Sequence, residues 1–357
     1  MDGVDIIAIR APRRALRMSA NWLDFLKSRG ARIAPGGGVH FGDPDGELRA
    51  ARAAGIVAPL LHLTTLGFSG PDATAFLQGQ VSCDVERLDA AHAAHGCYCT
   101  PQGRMLANFL LWRDAEELRM SLSDDIADAV QKRLRMYVLR SKVAIAVPAP
   151  ALLGVAGTAG AQALREALGA VPAAAMDLQR VGGVTVIRLH GERFLLVAPS
   201  ADAPTLWERL AALLAPVGTA TWQWLDIVAG VPLVTAPTQD QFVPQMVNLE
   251  LIGGVDFRKG CYTGQEVIAR AQHRGKVKRR MFLAHVAADA ARAGDPVLAG
   301  GDAEASGGLV VNAAPSPEGG TDLLAVLQSA TANAGNLHLG TPEGPLLEVR
   351  PLPYGVE

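Results

Sequence analysis

Residues 258–280, RKGCYTGQEVIARAQHRGKVKRR, are the stretch from which the rest of the chain is read. Cys261 follows Arg258, Lys259 and Gly260 directly, and Tyr262, Gly264, Gln265 and Glu266 come after it. Neighbouring cations lower a thiol pKa, and so do the N–H groups at a helix start. GQEVIARA has the look of a helix or strand start, and Gly260 and Gly264 allow a tight turn and a close backbone approach. Two readings of Cys261 stand side by side: an activated thiol, or a small buried residue in a turn with surface charge around it. His273, twelve positions on, reaches Cys261 only by folding, so no general base is assigned.

The same segment is locally basic. Arg258, Lys259, Arg270, Arg274, Lys276, Lys278, Arg279 and Arg280 face only Glu266 as an acid. Such a strip suits RNA phosphates, the carboxylates of a small acidic ligand, or a solvated face at a domain junction. Tyr262 is its one aromatic, too few for base stacking, which argues against direct nucleic acid binding.

Outward from this segment, 357 residues exceed one compact core, so two or three domains are expected. Hydrophobic content of 49%, charged content of 19% and a net charge of −2 describe a globular chain, with no global pull toward nucleic acid or an anionic membrane. No apolar run is long enough to span a bilayer. The N-terminus lacks the apolar core of a secretory signal, and a cytoplasmic location is expected, with Met18 a candidate start. Four cysteines in a reducing compartment are expected as thiols. Cys97 and Cys99 alternate onto one strand face, either as small apolar core residues or as a ligand pair.

Residues 1–58 read as an N-terminal lead-in, with the Gly-, Pro- and Asp-rich 32–50 as loop. Residues 59–150 read as an α+β unit. HAAHGCYCTPQGRMLANFLLWRD is two strands around a turn at Pro101-Gln102-Gly103. SDDIADAVQKRLRMYVLRS is a helix capped by Ser123, with Ile126, Val130, Leu134 and Val138 on one face. Residues 151–280 repeat the grammar: LLGVAG a strand, AGAQALREALGA a helix, GVTVIRLHGERFLLVAP two strands, PTLWERLAALLAPVG a helix with Leu206, Leu210 and Leu213 inward. From 281 to 357 short apolar runs between Gly, Pro, Asn and Asp predict a small β-barrel. The class is α+β, with antiparallel sheets and helices on one side.

KGCYTGQEVIARAQHRGKVKRR resembles the signature of the YgfZ family, folate-binding relatives of glycine-cleavage T-protein. GPDATAFLQGQVSCDVERL, CTPQGRMLANF, LRMYVLRSKVAIA, AGVPLVTAPTQDQFVPQMVNLELIGGVDFRKG and the terminal PLPY carry the resemblance over residues 60 to 357. It implies a T-protein-like three-domain ring around a central channel that holds tetrahydrofolate. It also implies a role in assembling or repairing iron–sulfur clusters in client enzymes, among them a radical-SAM enzyme that modifies tRNA. No intrinsic metal is implied, Cys261 being at most a transient cluster ligand.

By that resemblance Cys261 is the functional thiol, with Lys259, Tyr262, Gln265 and Glu266 around it. Trp222, Arg270, Gly264 and Arg258 are expected at the folate, and Trp224 is the second choice for the tryptophan. Leu63 stands near the position of an expected second tryptophan. T-protein carries an aspartate pair where this chain has Ala107 and Asn108, so aminomethyl transfer, the alternative activity, lacks its ionisable oxygen. Many relatives have a glutamate where Val228 stands, and a valine cannot accept from the N–H edge of a pterin.

Overall fold

The computed structural model describes residues 19–34, 37–273, 277–289, 291–299 and 306–356. The first sheet runs in the order Ala93–Cys99, Met105–Asp114, Glu117–Ser123, Leu63–Ser69, Ala144–Ala146, antiparallel throughout. The turn at Pro101-Gln102-Gly103 joins its first two strands as the turn residues predict. Helix Ala127–Val138 buries Val130 and Leu134 against this sheet. Ser123 is not its cap. It ends the strand Glu117–Ser123 opposite Leu63, and its hydroxyl donates to Asp125 Oδ1 at 2.6 Å. Strand pairing outweighed the local capping signal.

The second sheet has the order Leu178–Val181, Val184–Arg188, Arg193–Ala198, Ala151–Ala156, Ile56–Pro59, Ala215–Pro216, and only the last pair is parallel. The expected lead-in therefore supplies a strand of this sheet, Ile56–Pro59, and its Arg32–Ile33 pairs with Val39–His40 in a separate two-stranded sheet. Helix Ala20–Ser28, capped by the Ser19 side chain, sets Trp22 edge-on to Trp207 with ring centroids 6.0 Å apart. The expected loop at 32–50 holds most of helix Pro44–Ala53. Asp43 caps it, Pro44 opens it, and Glu47 accepts from the N–H groups of Phe41 and Gly218. Pro44 and Gly46, which suggested a loop, stand in its first turn. In helix Ala203–Ala211, Leu206 and Leu210 turn inward as expected, whereas Leu213 lies past the helix end and is exposed.

The third sheet is C-terminal, antiparallel and curled into a half-barrel. Its order is Leu337–Leu339, Pro296–Ala299, Ser306–Pro315, Thr321–Gln328, Arg279–Val286, Leu347–Arg350, and a bridge between His338 and Leu346 brings its edges together. Asp322 of this sheet accepts from Trp224 Nε1 at 2.8 Å and pairs with His285. Trp224 thereby fastens helix Thr219–Val228 to the C-terminal sheet. The segment after that helix is held from both sides. Asn312 exchanges hydrogen bonds with the backbone of Leu233, and Asn108 does the same with Pro232 and Val234. One apolar cluster runs from the first sheet through this helix to the cysteine motif and the third sheet.

Candidate functional site

The turn carrying Cys261 is anchored on both sides. Lys259, 7% exposed, donates to the carbonyl oxygens of Gln78, Val81 and Cys83 at 2.8, 2.6 and 2.8 Å. An ammonium has three protons, and all three are used. Tyr262, 8% exposed, holds its ring 5.1 Å from the same ammonium. Between these anchors Gly260 and Cys261 are exposed. Gly264 fixes the exit of the turn: its φ is +85°, and a Cβ there would lie 2.5 Å from the Thr100 carbonyl oxygen, so glycine is required. Helix Gln265–His273 follows, with Glu266 in its first turn.

The other expected site residues divide. Gln265 and Gly264 are half-buried in the motif, whereas Glu266, Arg258 and Arg270 are exposed. The Arg258 side chain extends outward, 3.8 Å from Asp256. The basic strip is not one surface either: Lys259 is buried, and Arg280 forms a buried ion pair with Glu250. Arg274 and Lys276 lie outside the described residues, as does the His273 side chain.

Under the motif lie the remaining thiols. Cys83, Cys97 and Cys99 are buried. Cys97 Sγ lies 3.5 Å from Cys99 Sγ and 3.2 Å from Ser82 Oγ, and that hydroxyl donates to Gly254 O at 2.6 Å. Burial pushes the Cys83 thiol up to about 12, against the opposing pull of Lys259. Burial and these three neighbours also raise Tyr262 above the ordinary phenol range. They are core thiols, and no group of His, Cys, Asp or Glu among the described residues could hold a metal ion.

Ladder pairing links the motif to the centre of the molecule. Cys97 stands opposite Asn108 and His95 opposite Leu110, so the face that carries the core thiols continues along the strand to His95. There it meets a small cavity whose lining includes Leu63, His95, Asn108, Trp222 and Asp226. A larger one, about 450 Å³, is lined by His190, Arg193, Val228, Ile252 and Tyr354, among others.

Helix Thr219–Val228 shapes both cavities. Trp222 and Asp226 lie four residues apart, on one helix face. Arg193 meets both: it forms an ion pair with the half-buried Asp226, and its guanidinium lies 5.9 Å from the Trp222 ring centroid. Trp222 is only 1% exposed, and a Cβ on Gly154 would fall 2.3 Å from its six-membered ring. The indole is a packed wall of the cavity. Burial raises the Asp226 carboxyl above the usual carboxylate range, with Arg193 pulling it back down. Next to Arg193 the rings of His95 and His190 stack, 5.6 Å between centroids and 11° between planes.

No protein-family model matches the chain. Curated relatives do. The tRNA-modifying protein YgfZ of Yersinia pseudotuberculosis is 34% identical over 293 residues, covering 81% of this chain and 89% of that protein. The protein of the same name from Sodalis glossinidius is 33% identical over the same spans. The chain belongs to the YgfZ family. Among solved structures, the glycine cleavage aminomethyltransferase T of Bartonella henselae superposes with a TM-score of 0.75 at 18% identity. It covers 95% of this chain and 98% of its own, which makes the fold that of T-protein.

Within this YgfZ chain the two departures from T-protein now have physical meaning. Asn108 donates to Pro232 O at 2.7 Å and accepts from Val234 N at 2.7 Å, so its amide holds the 231–234 segment. Ala107 is buried. The carboxylate lining the smaller cavity is Asp226, and it is bound to Arg193. Sequence reasoning missed His95, His190, Arg193 and Asp226. Asp226 left a signal, an acid inside the otherwise apolar TATWQWLDIVAG, and so did His95, a polar residue within a buried strand. Their meeting is tertiary and had no local mark.

Proposed function

We propose that this YgfZ chain binds tetrahydrofolate at its central cavities and serves iron–sulfur clusters of tRNA-modifying client enzymes, with Cys261 as its working thiol. The observation that carries the reading is the build of the motif. Lys259 and Tyr262 are buried on either side of a thiol presented to solvent, an arrangement that holds a reactive group rigidly where another protein can reach it. The names of the relatives supply tRNA modification.

The cavities suit a folate. Their walls are largely apolar, with a few convergent polar groups, as a flat heterocycle needs. His95 and His190 each bring a buried ring nitrogen that has no protein partner. When bound, tetrahydrofolate supplies a reduced pterin able to carry or accept a one-carbon group. Residues Trp222 and Val228 would bound the ring, and the exposed Arg258 and Arg270 are available to a glutamate tail. Aminomethyl transfer is the weaker reading, because Asn108 is an amide committed to the backbone and Asp226 is ion-paired.

The test is complementation of a bacterial strain lacking its own homologue, reading the methylthiolated tRNA nucleoside. The wild-type chain should restore it, and Cys261→Ser should not, while keeping its melting temperature. Full restoration by Cys261→Ser would overturn the assignment of the thiol.

A further inference from the structure

A heterocycle with N–H groups along one edge needs acceptors, and the carboxylate lining the larger cavity, Glu192, is exposed to solvent. Val228, Leu225 and Ile252 give the larger cavity apolar walls. Asp226 is held by Arg193, and the Asn108 oxygen accepts from Val234. Three buried polar atoms of cavity-lining residues have no protein partner: the Ser121 hydroxyl oxygen, Nε2 of His95 and Nε2 of His190. The two ring nitrogens are the pair that stands together, stacked between the cavities. His95, 8% exposed, lines the smaller cavity, and His190 lines the larger, so their stacked rings stand where the two cavities meet.

The protonation of the pair follows from its surroundings. The backbone of Phe109 favours a proton on His95, and that of Ile252 favours one on His190. With the proton on Nδ1, the unpartnered Nε2 of each ring is open to a ligand. A neutral imidazole with Nδ1 protonated presents Nε2 as a lone-pair acceptor. Burial first, and the Arg193 charge as a further cause, keep both rings in that neutral form. A buried acceptor left unpaired is destabilising, and an N–H from a ligand removes that cost.

We propose that His95 and His190 are specificity-determining residues of the folate site, their Nε2 atoms accepting from the N3–H and 2-amino groups of the pterin where position 228 offers only a valine. The inference rests on the folate reading given above. Because acceptors reward donors, the pair selects the 2-amino-4-oxo ring over an equally flat ring that carries a methyl group in place of the amine.

The full chain is titrated calorimetrically with 5-formyltetrahydrofolate and with its 2-desamino-2-methyl counterpart. Wild type should prefer the 2-amino compound by about tenfold or more, the scale of one hydrogen bond left unmade. His95→Phe and His190→Phe should each weaken the 2-amino compound about tenfold and leave the methyl analogue unchanged. His95→Asn and His190→Asn, which keep an acceptor, should retain part of the preference. A wild-type preference intact in the phenylalanine variants, or equal loss of both ligands, overturns the inference alone. Binding of neither compound by wild type removes the folate reading and this inference with it. Should the phenylalanine variants not fold, ring nitrogen spectra of the ¹⁵N-histidine wild type decide. The Nε2 resonances of His95 and His190 should move on adding 5-formyltetrahydrofolate, and unmoved resonances overturn the proposal.

Discussion

The Lys259 ammonium donates to the carbonyl oxygen of Val81 at 2.6 Å, joining the cysteine motif to a turn 178 residues earlier in the chain. Gln78 and Cys83 complete the cradle. The lysine of the motif is thus an anchor for the thiol two positions on. Lys259→Met should leave three carbonyls without a donor and lower stability by about 3 kcal/mol or more. Chemical denaturation checks this, and an unchanged midpoint would mean that the lysine is dispensable to the fold.

Thiol accessibility follows from burial. Of the four cysteines only Cys261 is exposed, so a small thiol reagent should titrate one group per native chain and four after unfolding. Cys97→Ser and Cys99→Ser should be mild in function and modest in stability, as substitutions of small core residues. Native labelling of more than one thiol would show that the core beneath Tyr262 opens.

Asn108 supplies a sharper case. Asn108→Asp replaces the N–H donor to Pro232 with an acceptor and sets a carboxylate against a carbonyl, at a cost of about 2–4 kcal/mol. A protonated aspartate can still donate, so the loss should be larger at about pH 8 than at about pH 5. Equal stability of the variant and wild type at both pH values would remove the structural role given to the amide. The variant should gain no aminomethyltransferase activity.

Much of this architecture was legible in the sequence, because it is written locally. The hairpin around Pro101-Gln102-Gly103, the strands before and after His190-Gly191 and the amphipathic helices all announce themselves by period and turn residues. Residues 19–58 were misread because Trp22 and Glu47 act on distant partners, Trp207 and Gly218, which no local pattern records. The site divides in the same way. Cys261 is singled out by its motif alone, whereas its neighbours Lys259 and Tyr262 hold the turn, a role only the distances reveal. The centre, where His95 of one sheet meets Arg193 of another and His190 of the turn before it, exists only after folding.

Buried histidines give the fold a pH dependence of definite sign. Burial drives His95 down to about 3 from 6.5. Above 6.5 both folded and unfolded chains carry it neutral, so it imposes no penalty there. As pH falls below 6.5 the unfolded chain takes up the proton that the folded chain refuses, and stability is lost progressively down to about 3. His95→Asn should therefore lose less stability than wild type between about pH 7 and about pH 5, measured by urea denaturation at each pH. Parallel losses in the two proteins would show that His95 accepts a proton without unfolding.

The central claim is that the thiol motif and the cavity behind the first sheet form one folate-linked site, and a crystal structure of the chain with tetrahydrofolate tests it most directly. The pterin is expected against Trp222 and Val228, within hydrogen-bonding distance of His95 or His190, with Cys261 still open to solvent. A folate bound elsewhere on the surface, or central cavities left empty at saturating tetrahydrofolate, would contradict the account.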